Sequence, residues 1–335
     1  MIGIIGGGGW GTALAKHCAQ KGYQVGMWVM EPEIAAEINR RHTNQTFLPG
    51  APLPESLYAS NSLEEIVSRK KFLIIAVPSL WLRQIARKMA DFVDPQTIII
   101  STTKGLELQS YKLMTVILAE ELPSVNPDAI IALSGPTHAE EVAQGIPSAA
   151  VVSTPNQSYA QEAQDLLISP LFRIYTNPDR IGVQLGGALK NVIALAAGIS
   201  DGLGFGDNTK AALVTRGLVE ISRLGLTLGA KKPTFAGLSG MGDLFVTASS
   251  IHSRNSWAGR ELGKGKTLAE VIASTKMVVE GVNTTRAAYE LARQLKVELP
   301  ITEVTYRILF EGLSPQVGVR ELMERAKTHE MEELV

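Results

Sequence analysis

A lysine stands in the middle of an otherwise apolar segment. Residues 186–198 read GGALKNVIALAAG, and Lys190 and Asn191 are the only residues that would not suit a helix buried on every side. Burying an ammonium group is unfavourable unless a partner compensates its charge, and such a lysine often loses its proton instead. Two interpretations are open: Lys190 lies at the edge of the apolar face with its head in water, or it points into a pocket where a proton is transferred.

The second interpretation suits hydride transfer to a ketone. That reaction needs a proton donor for the developing alkoxide and a nearby positive charge, and a lysine supplies both. Burial brings the pKa of a lysine towards the working pH, and Asn191 is placed to orient Lys190 or a substrate hydroxyl. Space for a ligand is predicted along the same helix by its small residues, Gly186, Gly187, Ala194 and Ala197.

A second chemical signature is the glycine loop GIIGGGGWGTALA. Gly6, Gly8 and Gly11 have the GxGxxG spacing, and they follow an apolar strand and open a helix, which is the context that gives this weak motif meaning. The three glycines would make the tight turn, let the backbone approach a pyrophosphate, and let the helix pack on the sheet. The helix amides would then face the phosphates. The alternative is a glycine-rich turn without a ligand.

The acid that follows the second strand bears on the choice of cofactor. Glu31 lies where a carboxylate can accept hydrogen bonds from the ribose 2′-hydroxyl of NAD. It can equally be a helix-start acid beside Pro32. Arg40 and Arg41 could still reach a 2′-phosphate, so NADP stays open.

Two further candidates follow predicted strands. Lys104 comes just after the strand at 97–101, at the sheet edge where ligands bind in open α/β folds; an exposed loop lysine is the alternative. In SGPTHAEE, Thr137 is predicted to cap a helix, with Glu140 completing a capping box.

The second half holds an acid and a basic cluster. Asp243, in GLSGMGDLFVT, is either a turn former or a partner that tunes Lys190. Ser253 is predicted to cap a helix, which would place Arg254 and Asn255 beside exposed amides as a phosphate site. A solvated arginine is the alternative.

Two kinds of element must position these residues. Short apolar runs alternate with amphipathic segments in the first half, which predicts a mostly parallel sheet covered by helices on both faces. After about residue 178 helical periodicity takes over, which predicts an all-α second domain, so the domains are expected at 1–178 and 179–335. Strands are predicted at 1–5, 23–29, 72–77, 97–101, 129–133 and 149–153, with a weaker one at 171–175. Helices are predicted at 10–21, 32–40, 79–90, 110–121, 157–168, 179–199, 208–228, 255–263, 267–274, 282–295 and 299–311, and an ordered loop at 42–56.

Composition excludes several classes of function. The 335 residues carry 32 basic and 33 acidic side chains, which argues against a general nucleic-acid binder. Cys18 is the only cysteine, so an intrachain disulfide is impossible, and the five histidines show no metal spacing. No apolar run reaches the length of a membrane span and no signal peptide is apparent, so a cytoplasmic protein is expected.

Taken together, these segments resemble the NAD(P)-dependent glycerol-3-phosphate dehydrogenase family of the soluble, bacterial type. The resemblance runs through nearly the whole chain in IIGGGGWGTALA, NQTFLPG, AVPS, TTKGLE, LSGPTHAEEV, GGALKNVIALAAGISDGLGFGDNTKAAL, LSGMGDLFVT, SRN and VVEGVNT. It implies an N-terminal Rossmann-like domain, a helical C-terminal domain and a site between them. The implied reaction is the reversible reduction of dihydroxyacetone phosphate to sn-glycerol 3-phosphate, which feeds phospholipid synthesis.

The resemblance also implies roles for individual residues. Lys190 would be the general acid/base. Substrate contacts would come from Lys104, Gly135, Thr137, Lys190, Asp243, Thr247, Ser253, Arg254 and Asn255. Cofactor contacts would come from Gly6, Gly8, Gly9, Trp10, Gly11, Met30, Glu31, Lys104, Ala139, Arg254, Val278 and Glu280.

Two positions depart from the family pattern. Gly9 stands where the family usually has Ser or Ala, and Met30 stands where His or Arg is common. Met30 together with Glu31 favours NAD over NADP. A homodimer is a family-level expectation, and no metal site is expected. The alternatives are a related two-domain 3-hydroxy-acid dehydrogenase and a dinucleotide-binding regulator without chemistry.

Overall fold

The chain forms two compact units. The computed structural model describes residues 1–275 and 277–330. One unit comprises residues 1–103 and 114–180, and the other comprises the described residues of 104–113 and 181–335. The expected division at residue 178 does not anticipate that segment 104–113 groups with the helical unit, where Leu106 joins an apolar cluster of helix residues. The end of the expected second domain, 331–335, lies outside the described residues.

The first unit is built on one sheet of eight strands. Their order is β3-β2-β1-β4-β5-β6-β7-β8, and every neighbouring pair is parallel except β6 with β7. The predicted mostly parallel sheet is therefore confirmed. The strands are β1 Ile2–Ile5, β2 Val25–Trp28, β3 Leu57–Ser60, β4 Phe72–Ile75, β5 Ile98–Ser101, β6 Ile130–Ser134, β7 Ser148–Ser153 and β8 Phe172–Asn177.

Helices and 3-10 turns connect these strands. They are α1 Gly9–Gln20, α2 Pro32–Arg41, α3 Leu63–Val67, α4 Leu82–Met89, α5 Met114–Glu121, α6 Ala139–Ala143 and α7 Gln157–Leu167, with 3-10 turns at Ser79–Trp81 and Pro127–Ala129. Two apolar clusters line the sheet, and β1, β5 and β6 are buried at every residue because helices cover them.

The sequence predictions miss β3 and α3, and they give α6 only as a helix start at Thr137. β3, with the sequence LYAS, is an edge strand that is only half-buried in alternation and carries no β-branched residue. α3 and α6 have five residues each, too few for a helical period to show. α5 starts at Met114 rather than near residue 110, because Leu106 and Leu113 pair across an antiparallel bridge.

The second unit is helical, as predicted. Its helices are α8 Arg180–Gly202, α9 Asp207–Thr227, α10 Lys232–Phe235, α11 Asp243–Ser249, α12 Arg254–Gly263, α13 Leu268–Ala273, α14 Glu280–Leu295, α15 Pro300–Phe310 and α16 Pro315–Met323, with a π-helical turn at Leu238–Gly242. Glycines at 237, 240 and 242 and prolines at 233 and 315 conceal α10, α11, the π-helical turn and α16 from sequence patterns.

Helix α8 is the core of the second unit. By length and composition it is apolar enough to cross a membrane, with a mean hydropathy of 1.3, but 94% of that apolar window is buried inside the protein. A Cβ at Gly198 would lie 2.1 Å from the Ser256 carbonyl oxygen, so this glycine lets α12 cross at close range. The long apolar segment is therefore a core helix of the second unit.

Candidate active site

Lys190 lies inside the second unit and has two partners there. Its side chain projects from α8, and the residue is 7% exposed. The Nζ atom donates to Oδ1 of Asp243 at 2.6 Å and to Oγ1 of Thr247 at 2.6 Å. The edge-of-helix interpretation is thus wrong, because the ammonium group is held by a carboxylate and a hydroxyl rather than by bulk water.

Asp243 also binds a second lysine. Its Oδ2 accepts from Nζ of Lys104 at 2.5 Å, and the Asp243 side chain is 1% exposed. One buried carboxylate therefore bridges two ammonium groups, and the centre formed by Lys104, Lys190 and Asp243 carries one net positive charge. Such a centre suits an anionic ligand or a developing negative charge.

Burial and charge shift the pKa values in opposite ways. Desolvation lowers the pKa of Lys190 from 10.5 to about 8, with Asp243 opposing the shift and Lys104 adding to it. Burial by itself would raise the pKa of Asp243, but Lys104 and Lys190 outweigh that effect and hold it below its usual value. Asp243 therefore stays ionised, while Lys190 is poised to exchange a proton near neutral pH.

The π-helical turn at 238–242 brings Asp243 to this position. A Cβ at Gly240 would lie 2.1 Å from the Phe235 carbonyl oxygen, so the turn folds tightly back on α10 and α11 begins at Asp243. Thr247, one helical turn further on, then lies on the same face as Asp243. The Thr247 hydroxyl donates to the Asp243 carbonyl oxygen at 2.6 Å, which leaves its lone pairs for Lys190.

The π-helical turn also fills the space that the sequence predicts for a ligand at Gly186. Gly186 was predicted to leave room for a ligand, but a Cβ there would lie 2.5 Å from the Ser239 carbonyl oxygen. Backbone of the π-helical turn fills that space. Gly186 is therefore a packing residue.

The predicted phosphate cluster stands at the start of α12. Ser253 is the N-cap, and its side chain accepts from the Ser256 amide, which confirms that capping prediction. Arg254 donates to the Val278 carbonyl oxygen at 3.2 Å. The arginine is therefore held beside the first turn of a ten-residue helix, where positive dipole and amides favour an anion.

Asn255 joins three elements of the second unit. Its Nδ2 donates to Oδ1 of Asn191 at 2.9 Å, and its Oδ1 accepts from the Gly281 amide at 2.8 Å. Asn191 thus orients Asn255 rather than the ammonium of Lys190. Glu280, the first residue of α14, and Val278, just before that helix, lie next to this linkage.

The predicted glycine loop joins β1 to α1 in the first unit. Gly6 has a φ of +122°, and a Cβ at Gly11 would lie 2.1 Å from the Gly6 carbonyl oxygen, so both positions need glycine. Gly8 is the N-cap of α1 with no side-chain cap, and a Cβ there would meet nothing within 4 Å. No side chain caps the start of α1 at Gly8, and the space at that glycine is open, so a phosphate has room to approach the helix start.

Gly9, Trp10 and Ala139 lie together beside this loop. A Cβ at Gly9 would be 3.7 Å from the Ala139 Cβ but only 2.7 Å from the Phe47 carbonyl oxygen. The backbone of the 42–56 loop therefore occupies the space that a serine or alanine at position 9 would use. Trp10 packs its ring on Phe172 edge to face, with centroids 6.5 Å apart.

The end of β2 carries Met30 and Glu31. Met30 is 61% exposed, and Asn61 holds the strand end by donating to the Val29 carbonyl oxygen at 2.6 Å. Glu31 is the N-cap of α2, but its side chain makes no capping bond. Both interpretations of Glu31 thus remain compatible with its position, and its carboxylate is not used by the helix.

The predicted capping box at Thr137 is wrong. His138 is the N-cap of α6, and the Thr137 hydroxyl donates instead to the Gly135 carbonyl oxygen at 3.2 Å. Gly135 has a φ of +141°, and a Cβ there would lie 2.9 Å from the Ala150 Cα. Helix α6 begins one residue later than the sequence pattern suggests, so the threonine stabilises the turn after β6 and does not cap the helix.

Each unit therefore contains its own group of candidate site residues. In the first unit the glycine loop, the end of β2 and the turn after β6 follow the carboxyl ends of parallel strands. In the second unit Lys104, Lys190, Asp243 and Thr247 form one bonded group, and Arg254, Asn255 and the start of α14 form another. No cluster of His, Cys, Asp or Glu within 1–275 and 277–330 could hold a metal ion.

A glycine-loop sheet unit and a helical unit with a buried lysine define the chain as an NAD(P)-dependent dehydrogenase of the two-domain type. Models of the NAD-dependent glycerol-3-phosphate dehydrogenase N-terminus and C-terminus match residues 1–160 and 179–320. The chain belongs to the NAD-dependent glycerol-3-phosphate dehydrogenase family.

Relatives and solved structures agree with this assignment. An NAD(P)+ glycerol-3-phosphate dehydrogenase of Pelotomaculum thermopropionicum is 51% identical over 99% of this chain and 95% of its own length. The Halalkalibacterium halodurans enzyme of the same name is 50% identical over 99% of this chain and 96% of its own length. The crystal structure of glycerol-3-phosphate dehydrogenase from Coxiella burnetii, 38% identical, superposes with a TM-score of 0.93 and covers 97% of this chain and 98% of that one.

Proposed function

We propose that this protein reduces dihydroxyacetone phosphate to sn-glycerol 3-phosphate, reversibly, and so supplies the backbone for phospholipid synthesis. The observation that carries the proposal is the buried Lys190–Asp243–Lys104 centre in a chain of this family. The buried location makes a surface role for Lys190 untenable, and the pairing with Asp243 keeps it both charged and close to its proton-exchange range.

Lys190 is the proposed general acid. Reduced nicotinamide, when bound, would supply the hydride that the carbonyl carbon needs. The ammonium group donates its proton to the carbonyl oxygen, which becomes the product hydroxyl, and Lys190 is left neutral until it is protonated again. Two of its N–H groups are held by Asp243 and Thr247, so the third is the one that can point at the substrate.

Lys104 and Asp243 support that proton transfer. Asp243 holds the ammonium in place and moderates the fall in its pKa. Lys104, on the other carboxylate oxygen, brings a second positive charge that favours the developing alkoxide. Gly135 and Thr137 are proposed as further substrate contacts.

The substrate phosphate is assigned to the start of α12. Ser253, Arg254 and Asn255 place a guanidinium and helix amides beside one another. Arginine and a helix N-terminus are a strong combination for a phosphate. The linkage from Asn255 to Asn191, the neighbour of Lys190, ties this subsite to the proton donor.

The cofactor is assigned to the glycine loop and its surroundings. The open space above Gly8 fits a pyrophosphate. Trp10, Met30 and Ala139 are proposed to line the dinucleotide. Lys104, Arg254, Val278 and Glu280 are proposed as further cofactor contacts. We propose a preference for NAD, since the Glu31 carboxylate is not used by α2 and would repel a 2′-phosphate.

The test is an absorbance assay at the reduced nicotinamide band. We expect NADH oxidation with dihydroxyacetone phosphate, a higher kcat/KM with NADH than with NADPH, and poor turnover of unphosphorylated dihydroxyacetone. Equal turnover without the phosphate would favour a 3-hydroxy-acid type of dehydrogenase. Binding of NADH without any oxidation would favour a regulator, and a higher kcat/KM with NADPH would refute the NAD preference.

The pH dependence should report Lys190. Its pKa is lowered to about 8, so the protonated form that reduction needs predominates below that pH. We expect kcat/KM for ketone reduction to be flat below pH 8 and to fall above it, whereas kcat/KM for alcohol oxidation rises towards pH 8 and then levels off. Profiles in both directions on the same enzyme provide the check, and limbs of the same sign would refute the assignment.

Two further assignments rest on family membership. We propose that the protein is a homodimer and that it works in the cytoplasm. Both are family-level expectations and rest on no feature of this chain.

A further inference from the structure

We propose that Asn44 sets the orientation of the Gly7–Gly8 peptide and thereby the affinity of the glycine loop for a pyrophosphate. Asn44 lies in the loop between α2 and β3, far in sequence from the glycine loop, and it is 0% exposed. The inference rests on the proposed cofactor site, and it assigns a positioning residue that does not itself contact the cofactor.

The hydrogen bonds of Asn44 use its whole amide group. Nδ2 donates to the Gly7 carbonyl oxygen at 2.8 Å and to Oγ1 of Thr12 at 2.9 Å. Oδ1 accepts from the Phe47 amide at 3.2 Å. Because a carbonyl oxygen can only accept, the group that faces Gly7 must be the NH₂ end, so the orientation of the amide is determined.

The consequence for the loop follows from peptide geometry. A trans peptide is planar, and its C=O and N–H point in opposite directions. Asn44 and Thr12 hold the Gly7 C=O on the inner side, with the Thr12 hydroxyl 3.3 Å from the same oxygen. The Gly8 N–H must therefore point to the opposite side, away from Asn44 and Thr12. The space around Gly8 is open where a Cβ would stand, so a ligand has room next to this peptide.

A second contact fixes the loop in the same place. The Phe47 carbonyl oxygen lies 2.7 Å from where a Cβ of Gly9 would be, so backbone meets backbone there. Leu48 and Ala51 of the same loop pack with Ala13 of α1 in a small apolar cluster. Asn44 is thus the polar centre of a packed loop that supports the glycine loop from behind.

The main test variant is Asn44→Asp. It keeps the shape but replaces two N–H donors by acceptors that face the Gly7 carbonyl oxygen and the Thr12 hydroxyl. We expect the Kd for NADH and for ADP to rise at least about tenfold, because the buried Gly7 carbonyl loses the nearer of its two donors. The Kd for adenosine, which has no phosphate, should change much less. With saturating NADH, kcat should be close to wild type.

A matched control separates positioning from general stability. Asn39 also bonds to backbone with both ends of its amide, donating to the Ala59 carbonyl oxygen and accepting from the Ala59 amide at 2.8 Å each. Asn39→Asp should weaken that link without changing the Kd for NADH. A structural defect alone would raise the Kd values of NADH and adenosine together.

A second variant keeps the inference testable if Asn44→Asp does not fold. Thr12→Val removes the hydroxyl that both accepts from Asn44 and approaches Gly7, and it should raise the Kd for NADH, whereas Thr12→Ser should restore it. An unchanged Kd for NADH in the folded Asn44→Asp protein, or in Thr12→Val should the former not fold, would overturn the inference. If the wild-type protein itself failed to bind NADH, the proposed cofactor site would be at fault instead.

Discussion

Replacing Lys190 with alanine should reduce kcat by about 10³-fold or more, within the range that a positioned general acid contributes. Lys104 binds the opposite carboxylate oxygen of Asp243, so it does not stand in the place of the Lys190 ammonium group. The Kd for NADH should change little, because the glycine loop belongs to the other unit. Steady-state kinetics and a binding titration on the same preparation make the measurement.

Two controls test whether a loss of kcat in Lys190→Ala is due to the missing proton donor. Lys16 on α1 is equally buried, at 7% exposure, and burial lowers its pKa too. Lys16→Ala should keep kcat close to wild type, which would show that burying a lysine is not sufficient for an effect. Methylamine added to Lys190→Ala should restore part of the activity, because it can occupy the vacated space and donate a proton. A near-normal kcat in Lys190→Ala would refute the proposed role.

Replacing Asp243 with asparagine should lower both stability and rate. The substitution leaves Lys190 and Lys104 facing each other without the carboxylate that bridges them. Breaking a buried ion pair on one side typically costs about 3–5 kcal/mol of unfolding free energy. The loss of Asp243 also removes the main influence that raises the pKa of Lys190, so that pKa should fall below about 8.

The fall in the pKa of Lys190 changes the rate in a direction that a structural defect would not produce. With a lower pKa, less Lys190 is protonated at pH 7. Reduction should therefore slow by about tenfold for each unit by which the pKa falls below 7, and its falling limb should move to lower pH. Oxidation should lose less at neutral pH, because it needs the neutral amine. Chemical denaturation and the two pH profiles are the measurements.

The matched control is an exposed ion pair. Glu321 binds Arg307 with both carboxylate oxygens, and both side chains are partly exposed. Glu321→Gln should change stability by no more than about 1 kcal/mol and leave the pH profile unchanged. An Asp243→Asn protein with wild-type stability and an unshifted profile would contradict the role assigned to this carboxylate.

Much of the fold could be predicted from the chain because its signals are local. Seven of the eight strands, including β8, follow from short apolar runs between turn residues, and the long helices from their periodicity. The elements that the sequence did not predict show no hydrophobic periodicity. β3 has four residues at the sheet edge, and the π-helical turn at 238–242 is hidden by its glycines.

The sequence by itself determined the chemical candidates: a glycine loop after a strand, an ammonium in an apolar helix, and a basic cluster at a helix start. Only the tertiary structure decided which groups act on one another. Asp243 lies 53 residues from Lys190 and 139 from Lys104, and Asn44 lies 37 residues from the carbonyl it holds. Spacing along the chain predicts contacts within one helix or turn, whereas a buried charge is compensated by whatever residue the packing brings near. The sequence pattern therefore predicts a helix cap at Thr137 and open space at Gly186 that the packing does not give. It carries no signal for the role of Asn44.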